Sequence, residues 1–238
     1  MRKAILVIIL VLILLVLYNK PNIVQRGGHT PLTTHDKTEL LNAMKLVHKV
    51  FTERQIPYML AFGSVLGALR HKGFIPWDDD MDLLIFQDDI PRVEEALKYI
   101  SNYYKTEKTW KLFKIHPTPN TYIDFFPVKI DGDGKVKRCR IDTDQKKCHE
   151  VDGGWWKDWF GFDKTDILPL KKYKFEDTEF YGPANGLKLA KFWYGDNCMT
   201  ICKSRFHEDS SYHWSSPKEI PCNILLKKFK KNINIDIS

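Results

Sequence analysis

Residues 63–85 read GSVLGALRHKGFIPWDDDMDLLI. Asp78, Asp79, Asp80 and Asp82 fall within five positions, directly before Leu83-Leu84-Ile85. Like charges repel, and a carboxylate beside a buried strand is costly to desolvate. A cation is the natural compensation. In an extended strand alternate side chains share a face. Asp80 and Asp82 then point the same way, Asp78 joins them if the strand begins early, and Asp79 and Met81 point oppositely. Two or three convergent carboxylates make a hard-oxygen site suited to Mg2+ or Mn2+, ions that keep waters and share their shell with substrate phosphates. The plainer alternative for DDDMD is an acidic turn that caps a strand.

Working outward, Tyr58–Phe62 reads as a buried strand that ends at Gly63, with a short helix over Ser64–His71. A Gly-Ser pair between a strand and a helix offers backbone N–H groups and a hydroxyl to a phosphate oxygen. Arg70, His71 and Lys72 follow; Arg70 and Lys72 are candidate substrate-binding cations, with ordinary solvated surface as the alternative. A third carboxylate, Asp124, lies in the apolar run Tyr122–Ile130. Buried and unpaired it would cost several kcal/mol, so it is read as a metal ligand or a general base, against a satisfied core Asp. The candidate catalytic residues are therefore Asp80, Asp82 and Asp124. The candidate metal ligands are Asp78, Asp80, Asp82 and Asp124, and the candidate substrate-binding residues are Gly63, Ser64, Arg70 and Lys72.

The remaining pattern predicts a mixed fold. Thr34 or Asp36 caps a helix in which Leu40, Leu41, Met44, Val47, Val50 and Phe51 recur at helical spacing, ended by Pro57. Met81–Phe86 is a second strand and residues 90–103 a helix. Trp110–His116 and Tyr122–Ile130 are strands, and Asp131-Gly132-Asp133-Gly134 is a hairpin turn into Lys135–Ile141. A calcium loop at DGDG lacks the downstream Glu that such loops require. The aromatic stretch 142–163 is read as core or partial core, with a base-stacking surface or an acceptor platform as the alternatives. A short helix ends near Tyr194-Gly195. The strand–helix mixture predicts a single α/β or α+β domain over residues 34–226, with a solvated basic tail over 227–238.

The chain has 238 residues, 43% of them hydrophobic, enough for one sizeable core. Its 37 Lys and Arg exceed its 30 Asp and Glu by 7. The basic residues are dispersed and no zinc-finger or RNA-binding motif accompanies them, which argues against nucleic acid. Residues 4–18, AILVIILVLILLVLY, are uninterruptedly apolar behind Arg2 and Lys3. As a helix they reach about 22 Å, short against a hydrocarbon core of about 30 Å. No small-x-small cleavage site follows. The expectation is a signal-anchor with residues 1–3 cytoplasmic, a stem over 19–33 and the rest luminal, a single-pass type II membrane protein of the Golgi or endoplasmic reticulum; a cleaved signal is the alternative. In that compartment Cys139, Cys148, Cys198, Cys202 and Cys222 default to disulfides, Cys139 with Cys148 as a local loop and two of the other three together. A zinc site at Cys198, Cys202, Cys222 and His207 fits common spacings poorly.

The block GSVLGALRHKGFIPWDDDMDLLI resembles the signature of the LicD family, which includes fukutin and the fukutin-related protein. IDFFPV at 123–128 and DILPLKKYKFEDTEFYGPANGLKLAKFWYGDN at 166–197 resemble the family's later blocks, so the likeness covers roughly residues 38–197. It implies a nucleotidyltransferase-like mixed sheet flanked by helices, with a metal held by the aspartates. It also implies transfer of a phosphorylated alcohol or sugar from a nucleotide-activated donor, such as CDP-choline or CDP-ribitol, to a glycan or glycoprotein. Gly63, Ser64, Asp78, Asp80, Asp82 and Asp124 match positions that the family uses. Pro183-Ala184-Asn185-Gly186 departs from its usual Ile-Pro-type segment. The rival readings are a luminal Asp-x-Asp glycosyltransferase using a UDP- or GDP-sugar and a non-catalytic glycan-binding member of the fold.

Overall fold

The computed structural model describes residues 33–141, 158–204 and 218–232. The apolar run 4–18, the stem, Cys148, Trp155, Trp156 and His207 lie outside the described residues. Among the described residues no helix is long and apolar enough to cross a membrane.

Helix α1, Thr34–Glu53, is capped by Thr33, whose hydroxyl oxygen accepts the Asp36 N–H at 3.0 Å. The cap is one residue earlier than the sequence suggests because Asp36 is otherwise engaged. Its buried carboxylate accepts from the hydroxyls of Thr33 and Thr118 at 2.7 and 2.8 Å. The apolar stripe Leu40, Met44, Val47 and Phe51 is fully buried. Strand β1, Tyr58–Leu60, is followed by α2, Phe62–Arg70, then β2, Asp80–Phe86, a 3-10 turn at Gln87–Asp89 and α3, Ile90–Ile100. Next come β3, Lys105–Lys108, β4, Phe113–Thr118, β5, Thr121–Ile130, and β6, Val136–Arg138. The chain ends with α4, Lys164–Ile167, the hairpin β7, Lys171–Phe175, and β8, Thr178–Gly182, α5, Gly186–Tyr194, the pair β9, Ile201–Ser204, and β10, Lys218–Pro221, and α6, Cys222–Asn232.

The main sheet runs β1-β2-β5-β4-β3, with β6 paired to the end of β5. Only β2 and β5 are parallel neighbours within it; the other pairs are antiparallel. The mixed sheet flanked by helices is therefore as expected. Met81, Leu83, Ile85, Ile123 and Phe125 form its fully buried face. Phe51 of α1 meets Phe125 there, ring centroids 5.7 Å apart. On the opposite face Phe126 is covered by Phe62, at 5.5 Å, while the N-terminal ends of β2 and β5 carry the acids. Fully burying each such side chain contributes about 1.5–3 kcal/mol, so the sheet is a firm platform for what stands on its polar end.

Several boundaries differ from the sequence reading. The first strand stops at Leu60 and not at Phe62, since Phe62 turns into α2 in a left-handed conformation. β3 is a charged edge strand whose alternation carries no apolar signal. The β7–β8 and β9–β10 hairpins also escaped periodicity. Residues 227–232 continue α6 and are not a separate tail. Cys202 and Cys222 form a disulfide and Cys198 is a free, buried thiol, which removes the ligand set of the zinc alternative. Cys139 is disulfide-bonded, its partner lying outside the described residues. Trp159, Phe160 and Phe162 pack on the core, as expected for this part of the aromatic stretch.

Candidate functional site

The frame of the site is the turn between β1 and α2. Ala61 N–H donates to the Asp82 carbonyl at 2.9 Å, and the Asp82 N–H donates to Ser64 Oγ at 2.8 Å. The turn is thus bonded to the backbone on both sides of Asp82. Phe62 has a φ of +43°, a region that costs a side-chain-bearing residue about 1–2 kcal/mol. Its ring is held by Phe126, Trp159, Phe160 and Trp193, with centroids 5.5, 5.0, 5.9 and 4.7 Å away. Four ring contacts of this kind offset the strain and fix the turn.

The parallel register sets Asp82 beside Asp124 and Asp80 beside Tyr122. One carboxylate oxygen from each of Asp80, Asp82 and Asp124 lies within 4.8 Å of the others. Asp78, Asp79 and Asp80 form a second such group, sharing Asp80. Asp79 therefore joins its neighbours instead of pointing away. The strand begins only at Asp80, so two-residue alternation does not extend back to it.

Burial, then repulsion from neighbouring carboxylates, pushes Asp80 and Asp82 well above the usual carboxylate range. Burial also pushes Asp124 up, opposed by Lys114. Lys114, opposite Asp124 on β4, places Nζ 2.8 Å from Oδ1 and 3.0 Å from Oδ2. Only the contact to Oδ2 has hydrogen-bond geometry, and buried Oδ1 has no hydrogen-bond partner. Two carboxylates raised by burial and mutual repulsion, beside a third that one lysine partners, leave a surplus of negative charge that a hard divalent cation satisfies, so these residues fit one.

Around this group the other expected residues divide. Gly63 lets Asp78 approach the turn closely: a Cβ there would stand 2.6 Å from Asp78 Oδ2, so the carboxylate would have to retreat. Ser64 is buried and its oxygen is spent on the Asp82 N–H, so it first positions the strand. Arg70 is directed inward, donating from Nη1 to the Cys198 carbonyl at 2.7 Å and from Nε to His71 Nε2 at 2.8 Å, and its charge acts on Asp78. Burial, with the Arg70 charge adding to it, holds His71 down at about 4, so it is a neutral acceptor there. Lys72 is exposed beyond the end of α2 with a φ of +57°, and its carbonyl accepts the Glu176 N–H of the β7–β8 turn.

The sequence model of the LicD/FKTN/FKRP nucleotidyltransferase domain matches residues 55–185. The chain belongs to the LicD family. It is 30% identical over 146 residues to the uncharacterized protein RP689 of Rickettsia prowazekii, covering 61% of this chain and 50% of that protein. It is 44% identical over 52 residues to the lipopolysaccharide cholinephosphotransferase LicD of Haemophilus influenzae, covering 22% of this chain and 20% of that one. It is 48% identical over 40 residues to the human ribitol 5-phosphate transferase FKRP, covering 17% and 8%. The chain spans half or less of the length of these curated relatives.

Two further residues of this LicD-family chain, Lys114 and Tyr194, stand at the site without having been singled out from the sequence. Lys114 lay in a predicted strand, where an isolated Lys reads as solvent-facing; only the β4–β5 register pairs it with Asp124. Tyr194 ends α5, and its hydroxyl is 3.9 Å from where a Gly63 Cβ would stand. Burial and the charges of Asp82, Asp78 and Asp80 push this phenol well up, so it is a neutral O–H donor. The only sequence signal was its place in the WYGDN segment.

Proposed function

We propose that this LicD-family chain is a phosphotransferase. In this reading it moves a substituted phosphate, of the phosphocholine or phosphoribitol class, from a CDP-type donor to a glycan hydroxyl. The observation that carries the reading is the parallel register of β2 and β5, which sets Asp82 against Asp124 beside the anchored Phe62-Gly63-Ser64 turn. Asp80, Asp82 and Asp124, with Asp78 at the rim, would hold Mg2+ or Mn2+, which would neutralise the diphosphate charge. Gly63 leaves room for that charge at the N-terminal turn of α2, where the helix dipole favours it, the Ser64 and Val65 N–H groups being already given to the Ala61 carbonyl. Arg70 adds positive charge on the Asp78 side.

The acceptor oxygen bonds to the phosphorus of the substituted phosphate as the bond from that phosphorus to the CMP oxygen breaks. The hydroxyl proton passes to a carboxylate of the group, for which Asp124, set by the register of β2 and β5 beside Asp82, is the candidate base. Lys114, 2.8 Å away, opposes the effect of burial and favours the ionised form of Asp124. Positioning of the reactants supplies most of the acceleration in such chemistry.

The apolar run 4–18 and the Cys202–Cys222 disulfide support a type II protein of the Golgi or endoplasmic reticulum lumen, acting on glycans there. The test is a screen of CDP-, UDP- and GDP-linked donors with Mg2+ or Mn2+, scoring the released nucleotide and weighing the product. CMP release with a phosphorus-bearing product is expected. Release of a nucleoside diphosphate with a product lacking phosphorus would make the protein a glycosyltransferase instead.

A further inference from the structure

Tyr194 is placed with more precision than a packing residue needs. Its neighbour Trp193 is buried against Phe62, at 4.7 Å, and donates its indole N–H to the Trp159 carbonyl at 2.9 Å. The Tyr194 ring meets Trp159 edge-on at 5.9 Å. Helix α5 stops at the next residue, Gly195, with a φ of +91°. The ring is therefore held by the same aromatic group that holds the Phe62 turn.

No hydrogen bond of its hydroxyl to another described residue is found, and the oxygen is not one of the fully buried unpartnered atoms, so it stays open to the site. Within reach of the same point are Gly63 and Asp78 Oδ2, with Arg70 near Asp78. A neutral donor, a guanidinium and a backbone turn without side chain thus border one side of the carboxylate group. A phosphate oxygen fits between such donors and a cation held by the acids.

We propose that the Tyr194 hydroxyl donates a hydrogen bond to an oxygen of the donor phosphate that is transferred. This rests on the phosphotransferase reading above. CDP carries a terminal phosphate where the donor carries the transferred group, and CMP lacks it, so the pair isolates the contact. Tyr194→Phe keeps the ring and removes only the hydroxyl.

The experiment measures, by calorimetry on the full chain, binding of Mn2+ alone, of CDP with Mg2+ and of CMP with Mg2+, for wild type and Tyr194→Phe. A hydrogen bond to a charged group corresponds to roughly a 10- to 100-fold change in affinity. CDP affinity is expected to fall by that factor, with CMP and Mn2+ affinities within about twofold of wild type, on the same scale. Equal CDP affinity in both proteins overturns the assignment while leaving the phosphotransferase reading intact. So does an equal loss for CDP and CMP, or a loss of Mn2+ affinity, since each places the hydroxyl elsewhere. A wild-type protein that binds neither nucleotide overturns the reading of the site itself.

Discussion

Replacing Gly63 by Ala separates the function of the site from its stability. The backbone at Gly63 is helical and lies in the first turn of α2, where Ala is favoured over Gly by about 0.5–1 kcal/mol. Its new Cβ, however, stands 2.6 Å from Asp78 Oδ2, and ordinary contact begins at 3.4 Å. The carboxylate must retreat by about 3.4 − 2.6 = 0.8 Å. Being the end of a side chain, it can do so at small cost to folding. A displacement near 1 Å at a reacting centre costs on the order of 100-fold in rate. The prediction is a variant that unfolds at the wild-type temperature or slightly above, with turnover lowered about 100-fold. Thermal melts and donor turnover on the same preparations decide it. Wild-type turnover would refute the claim that the approach of Asp78 to this turn matters, and a large loss of stability would refute the backbone argument.

Three further outcomes follow from the same geometry. Asp82→Asn removes one of the charges that raise Asp80, so the variant in EDTA should be more stable by about 1 kcal/mol, roughly 2–4 °C in Tm, and should lose the stabilisation that Mg2+ or Mn2+ gives wild type; scanning fluorimetry with and without the ion checks both. Because Asp80 and Asp82 are raised, the metal-free site retains protons above the normal carboxylate pKa and releases them when a cation binds. Cation affinity should therefore rise with pH, and calorimetry in buffers of different ionisation enthalpy should show proton release; pH-independent affinity would contradict it. His71 is depressed to about 4 in the folded protein against about 6.5 unfolded, so the unfolded chain takes up its proton first. Its contribution, at most about 3.4 kcal/mol and less once solvent screening is counted, is complete above pH 6.5 and is lost as pH falls toward 4. His71→Asn should flatten urea-measured stability over that window.

Much of the site was legible in residues 63–85 and 124 because local rules applied to them. Alternation put Asp80 and Asp82 on one face, and an acid within the apolar run of β5 stood out. Those rules stop where the strand stops, which is why Asp79 was misdirected. Lys72 is suggested by proximity in sequence alone; it is exposed after α2, and its backbone carbonyl accepts from the β7–β8 turn. Lys114 and Tyr194 depend on the register of β4 with β5 and on the packing of α5 against α2, contacts between distant segments that no single-chain periodicity encodes. The shortened first strand has the same cause: a Phe in left-handed conformation is affordable only because rings from three other segments hold it.

The central claim is that acids from β2 and β5 share one divalent cation. Crystals grown or soaked with Mn2+ test it through anomalous scattering. The account predicts a peak within coordination distance, about 2.0–2.3 Å, of carboxylate oxygens from both Asp124 and at least one of Asp80 and Asp82. A peak elsewhere, or an Mn2+-saturated protein with Asp124 still bonded to Lys114 alone, would contradict it.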